Sequence, residues 1–319
     1  MRESVVNAPD FNLEEIAQAC DLYSGNTDDV ISKIENLENK YDQETLIKIY
    51  NYFLSKSQNP DVLMFLIREC DRYRNSSTLE YLVDILLLKN TENEELKEKF
   101  LNVRIMSAKA IGNLKNTNAV SALLYCLNNK NENYRIRLAC ADSLGRIGDR
   151  FAVAPLIEVV KDEDEKSVYL KESATKALGL LGDNSAIDPL VSILETKQGI
   201  MDKFTFLKER IIEALNKMDA SGNERVFKAL KNSLLDESPQ VRIDAIEGLM
   251  NSDHPDSYQI IKKCLIEDSD EEVKKNALIA LYNMSDRDIL DEVVNSPQYS
   301  DTLKINAVKI IEEYETEEK

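Results

Sequence analysis

The sequence predicts an all-α protein, a superhelix or α-solenoid of antiparallel helix hairpins, and three observations carry the prediction. The stretch YRIRLACADSLGRIGDRFAVAPL, from Tyr134, is answered one unit later by YLKESATKALGLLGDNSAIDPL, from Tyr169. Ile136-Arg137 thereby matches Leu170-Lys171, and Gly148-Asp149 matches Gly182-Asp183. With Ile136 as position zero, apolar residues recur at Val103, Ile136, Leu170, Leu207, Val241, Val273 and Leu303. Apolar residues also fall eight positions on, at Ile111, Leu144, Leu178, Leu215, Leu249, Leu281 and Ile311, with mostly small ones four positions on. Positions 0, 4, 7 and 8 share one helical face, so each such helix buries a stripe. The third observation is the residue after zero, which is basic every time: Arg104, Arg137, Lys171, Lys208, Arg242, Lys274 and Lys304.

In chain order, Phe11 to Tyr23 and Asp28 to Leu37 read as an atypical opening hairpin, of the polar-faced kind that a terminal repeat needs. Leu46 to Leu54 supplies the next first helix, Val62 and Cys70 mark its partner, and Leu79 to Leu88 opens the pair after that. The later first helices are Val120 to Leu127, Val153 to Val160, Ile187 to Leu194, Val226 to Leu234, Tyr258 to Leu265 and Ile289 to Val294. Gly148 and Gly182 are placed to end helices, with Asp149 and Asp183 available to cap the next one. Ser238-Pro239 reads as an N-cap with proline at the first helical position. Leu303 to Tyr314 closes the chain before the acidic ETEEK. The expected organisation is one continuous solenoid: divergent repeats and a cap over 1–100, regular repeats over 101–284, and a capping repeat over 285–319.

The formal net charge of −18 repels phosphate backbones and disfavours nucleic acid as a partner. No apolar run approaches the roughly 18 to 20 residues of a membrane span, and MRESVVNAPDFN lacks the pattern of a signal peptide. Five scattered cysteines (Cys20, Cys70, Cys126, Cys140 and Cys264) form no CxxC pair and read as reduced, buried thiols. The expected compartment is the cytoplasm.

The motifs VRIMSAKAIGNL, YRIRLACADSLGRIGD, YLKESATKALGLLGD and VRIDAIEGLM resemble the HEAT-repeat superfamily, in particular the short HEAT-like repeats of the phycobilisome (PBS) lyase type. The resemblance runs over residues 101–284 and implies a HEAT/armadillo-like stack, usually a binding scaffold whose second helices line the concave side. Enzymes with this type of repeat leave no trace at the residue level. The deoxyhypusine hydroxylases hold iron on paired His-Glu motifs, whereas the sole histidine here is His254, followed by Pro255. The HEAT-like DNA glycosylases use a basic, tryptophan-bearing groove, and this chain is acidic and lacks tryptophan. The sequence has no GxSxG elbow, no P-loop and no HExxH. No catalytic residue, metal ligand or cofactor is therefore assigned.

Two kinds of polar residue stand out. The basic row (Arg104, Arg137, Lys171, Lys208, Arg242 and Lys274, with Asp149 and Asp183 nearby) reads as a structural ladder of bonds within and between repeats, the alternative being a stripe for an anionic partner. Positions 3, 6 and 10 of the second helices should form the exposed concave ridge, bringing out Met106, Lys109, Asp142, Arg146, Lys176, Arg210, Glu213 and Lys217. Two connections run long at one edge, Lys89 to Asn102 and Thr196 to Phe206, and the second carries the apolar Met201, Phe204 and Phe206. The same edge concentrates acid, including Asp236, Glu237 and EDSDEE from Glu267, which suits helix N-termini and lacks the spacing of a calcium loop. The leading expectation is a non-enzymatic scaffold or adaptor that binds another protein or peptide, with neither nucleic acid nor membrane as partner. The alternative is an accessory enzyme or cofactor-attachment factor resembling the bilin lyases.

Overall fold

The computed structural model describes residues 12–23, 25–88, 94–195 and 205–317. Among these residues it holds eighteen α-helices and no strand, the all-α solenoid of the repeat pattern. The Cα trace separates into two compact units, Met1–Ala152 and Val153–Lys319.

The first unit contains α1 (Leu13–Ala19), α2 (Thr27–Glu35), α3 (Gln43–Lys56), α4 (Pro60–Tyr73), α5 (Leu79–Leu87), α6 (Glu94–Leu114), α7 (Val120–Asn128) and α8 (Tyr134–Ile147). Within it α5 packs on α6 and α7 on α8, while α4, α6 and α8 pack side by side as successive second helices. The second unit contains α9 (Val153–Lys161), α10 (Val168–Leu181), α11 (Ile187–Glu195), α12 (Thr205–Asn216), α13 (Glu224–Ser233), α14 (Pro239–Met250), α15 (Ser257–Glu267), α16 (Glu271–Asn283), α17 (Ile289–Asn295) and α18 (Asp301–Glu317). Here α10, α12, α14, α16 and α18 pack one on the next, each also against the first helix of its own hairpin.

The register explains the packing. The zero and plus-eight residues of the second helices (Ile136 and Leu144, Leu170 and Leu178, Val241 and Leu249, Val273 and Leu281) are fully buried. Between them Cys140, Ala174, Ala245 and Ala277 are buried as well, and their small side chains allow neighbouring helices to approach. Gly148 and Gly182 end α8 and α10 at φ 80° and 61°, the left-handed conformation that glycine adopts without penalty. Asp149 and Asp183 then accept hydrogen bonds from the N–H groups of Phe151 and Ser185, each ordering a short 3-10 turn that leads into the next helix. Ser238 caps α14 ahead of Pro239, as its sequence implies.

One expectation is corrected. Most of the stretch from Lys89 to Asn102 is not a connection, because α6 begins at Glu94 and runs 21 residues where α8 and α10 run 14. Leu96, Phe100 and Val103 follow a helical spacing, so the extension continues the stripe of the helix it precedes. Met201 and Phe204 lie outside the described residues, and Phe206 sits in the first turn of α12.

Four cysteines are buried and Cys264 is half-buried, all free. Burial pushes the Cys70 thiol up to about 12 and Cys264 up to about 11, which keeps both protonated and unreactive. No helix among the described residues is long and apolar enough to cross a membrane.

Candidate functional site

The basic row faces the loops that join each first helix to its second. Arg104 Nε donates to the Leu86 carbonyl at 2.8 Å, Arg137 Nε to Leu127 O at 2.8 Å, and Lys171 Nζ to Val160 O at 3.3 Å and Asp162 O at 2.5 Å. Each of these cations therefore satisfies a carbonyl at the end of its own hairpin's first helix, where helical partners run out. Carboxylates of the next hairpin complete several rungs. The Arg104 guanidinium grips both oxygens of Glu132 at 3.2 and 2.5 Å, Lys208 meets Asp236 at 2.6 Å, and Arg242 grips both oxygens of Asp268 at 2.9 Å. Lys274 lies 3.7 Å from Glu271, in the first turn of its own helix. Burial pulls the Lys171 ammonium below the ordinary lysine value, with Asp162 as the main opposing charge. Among the acids of this edge, Glu132, Asp236 and Asp268 thus meet the row directly and Asp270 caps α16.

The residues of positions 3, 6 and 10 lie on the opposite side of the second helices. In the first unit Lys109 and Arg146 are exposed, and Met106 and Asp142 are half-buried. A polar chain crosses three helices there. Asn113 Nδ2 donates to both oxygens of Asp71 at 2.9 and 3.1 Å, and Arg146 donates to Asn113 Oδ1 at 2.9 Å. Asp71, on α4, gives no signal in the sequence because its repeat diverges from the template.

In the second unit Lys176 and Lys217 are exposed, while Arg210 and Glu213 are half-buried. Glu213 is the local hub: Arg210 donates to one oxygen and Lys217 to the other, the latter at 2.5 Å. These bonds, Lys217 first, hold its carboxyl below the ordinary value. Closer to the loop edge the face turns acidic, with Glu172 on α10, Glu209 on α12 and Asp244 on α14. Burial raises the Asp244 carboxyl to about 6, helped by the nearby Glu209, Glu247 and Glu213 and opposed by the amide of Gln240. Burial likewise raises Glu172, against the pull of Arg210. Asp244, three residues after Val241, falls on a ridge position that the repeat pattern predicts, whereas Glu172 and Glu209 fall outside those positions.

The first unit also has a cavity of about 900 Å³ at the first-to-second-helix edge. Leu54, Leu63, Ile85 and Leu88 form apolar wall, the α6 extension adds Phe100 and Leu101, and the Arg104–Glu132 pair borders it. His254 stands apart in the second unit. Its ring stacks on Phe227 with centroids 3.5 Å apart, its Nδ1 accepts from the Asp256 N–H at 3.1 Å, and its Nε2 faces Glu224 at 3.4 Å. Among the described residues, no group of three or more His, Cys, Asp or Glu side chains has the arrangement of a metal site.

Comparison with known families gives matches to HEAT repeats over residues 93–169, 199–282 and 226–309. The PBS lyase HEAT-like repeat matches over residues 170–196. No curated protein matches the chain. Among solved structures, the complex of CpcE and CpcF of phycocyanin lyase from Nostoc sp. PCC7120 is 19% identical, with a TM-score of 0.41, over 98% of this chain and 97% of that one. The archaeal HEAT-like repeats protein from Thermococcus onnurineus NA1 is 16% identical, with a TM-score of 0.43, over 73% of this chain and 95% of that one.

Proposed function

The chain belongs to the HEAT-repeat family, and from that premise we propose that it is a non-enzymatic scaffold or adaptor that binds another protein through the ridge of its second helices. One observation carries the reading: the two sets of polar residues on these helices have different surroundings. The cations after position zero are engaged by carbonyls and carboxylates of the protein itself. The residues at positions 6 and 10, Lys109, Arg146, Lys176 and Lys217, are exposed to solvent, Arg146 and Lys217 while bonded to the neighbouring ridge residues Asn113 and Glu213. A repeated, mixed-charge face offers contacts from several helices at once, with charge aiding encounter more than affinity. Phe206, in the first turn of α12, is part of the proposed surface.

The test is affinity purification from source cells with wild type and a Lys109→Ala/Asp142→Ala/Arg146→Ala variant, which removes both signs of charge from the first unit's ridge. A stoichiometric protein should be held by wild type and lost by the variant, with the melting temperature lowered by no more than a few degrees. Equal retention by both would place the binding surface elsewhere.

The cavity of the first unit favours a second reading, an accessory enzyme or cofactor-attachment factor of the bilin-lyase type. Its volume lies within the range of roughly 300 to 1,000 Å³ typical of small-molecule sites. A preparation that retains a coloured or other small molecule, released on Leu63→Arg substitution, would favour this reading over the first.

A further inference from the structure

We infer that the face shared by α10 and α12 docks a cationic segment of a protein partner, one that presents lysine or arginine side chains. This deepens the protein-binding reading above and rests on it.

The two helices open with the same four-residue pattern, Tyr169-Leu170-Lys171-Glu172 and Phe206-Leu207-Lys208-Glu209. The middle residues are explained by the fold: Leu170 and Leu207 are buried, and Lys171 and Lys208 belong to the basic row. The outer residues are not. Tyr169 is 68% exposed and Phe206 66%, among the most exposed large apolar side chains described. Each lies three residues before a glutamate, the spacing that makes side chains neighbours on a helix. Since α10 packs directly on α12, the two aromatic–glutamate pairs fall at equivalent positions of neighbouring helices, with both rings exposed and Glu209 nearly buried beneath.

The charge of that surface selects the partner. Arg210 and Lys217 both bond Glu213, and the exposed Lys176 acts on it as well, so against these three cations stand Glu213, Glu172, Glu209, Asp244 and Glu247, an excess of acid. Glu209 is 9% exposed, and its hydrogen bond with Ser238 Oγ is a long one of 3.4 Å. Glu172 feels Glu209 as a like charge and Arg210 as an opposing one. A cationic side chain from outside would complement these carboxylates while its charge faced the rings, because an ammonium or guanidinium is attracted to an aromatic face. An acidic partner would meet repulsion at the same place.

The experiment is fluorescence anisotropy with a short labelled peptide of alternating lysine and alanine, at physiological ionic strength, where screening acts beyond about 8 Å. An alternating glutamate–alanine peptide serves as control. Wild type should bind the lysine peptide and ignore the control. Tyr169→Ser/Phe206→Ser leaves the net charge unchanged and should weaken binding about ten-fold, two exposed cation–π contacts being lost. Glu172→Gln/Glu209→Gln should weaken it at least as much. Equal binding by wild type and the aromatic variant would overturn the inference, showing attraction to the general negative field. No binding by wild type, or equal binding of the control, would also overturn it. If wild type captures a cellular protein through its second-helix ridge yet ignores the lysine peptide, this inference falls and the scaffold reading stands.

Discussion

Arg242 shows what the basic row does for the protein. Its guanidinium meets both oxygens of Asp268 and donates to the carbonyls of Asp236 and Glu237, with side chains only 11% and 9% exposed for the ion pair. Removing one partner of such a pair strands a part-buried charge. Arg242→Ala should therefore lose about 3 kcal/mol of stability, measured by urea denaturation. The exposed Lys217→Ala should stay within about 1 kcal/mol. Asp244 acts in the opposite sense. Its carboxyl titrates at about 6 in the folded protein, above the ordinary 3.8, so the folded state holds the proton more tightly between those values. Stability should fall as pH rises through that window, and the penalty is complete above about 6. Asp244→Asn should gain on the order of 1 kcal/mol at neutral pH, a figure discounted for partial exposure, and the difference should vanish near pH 4. A variant that gains stability only in acid would contradict the burial argument.

At the scale of the element, close contact between second helices sets the limits. A Cβ on Gly112 of α6 would lie 2.7 Å from the Cβ and Oγ of Ser143 on α8, whose hydroxyl donates to the Ala108 carbonyl at 2.7 Å. Gly112→Ala should lower the melting temperature although alanine is the better helix former, because overpacking costs about 1–3 kcal/mol against a propensity gain of about 1. An unchanged or higher melting temperature would show that α6 and α8 can separate freely. The register of these helices was readable from the sequence, since burial at 0, 4 and 8 leaves a periodic signature that Ile136, Cys140 and Leu144 carry. The start of α6 was not, because aligning on Val103 assigns everything before it to a connection. Leu96 and Phe100 held the signal for two further helical turns. The opening repeats were found at Val62 and Cys70, but without a zero-plus-one cation nothing pointed to Asp71 or its bond to Asn113. The aromatic–glutamate pairs of α10 and α12 were visible as letters. Their meaning depends on which of four adjacent side chains faces solvent, and only coordinates supply that.

Across the whole molecule, the polar residues of the second helices divide into a set that holds hairpins together and a solvent-facing set, the one proposed to meet the partner. The division comes from geometry: side chains one residue past the buried zero position point to the loop edge, and those at 6 and 10 point away from it. Lysine reactivity reads both sets at once. Acetylation rates measured by mass spectrometry on the free protein and on its complex with the captured partner should show Lys171 and Lys208 slow in both. Lys176 and Lys217 should be fast in the free protein and protected in the complex. The opposite pattern, with Lys208 fast and shielded by the partner while Lys176 stays unaffected, would contradict the division.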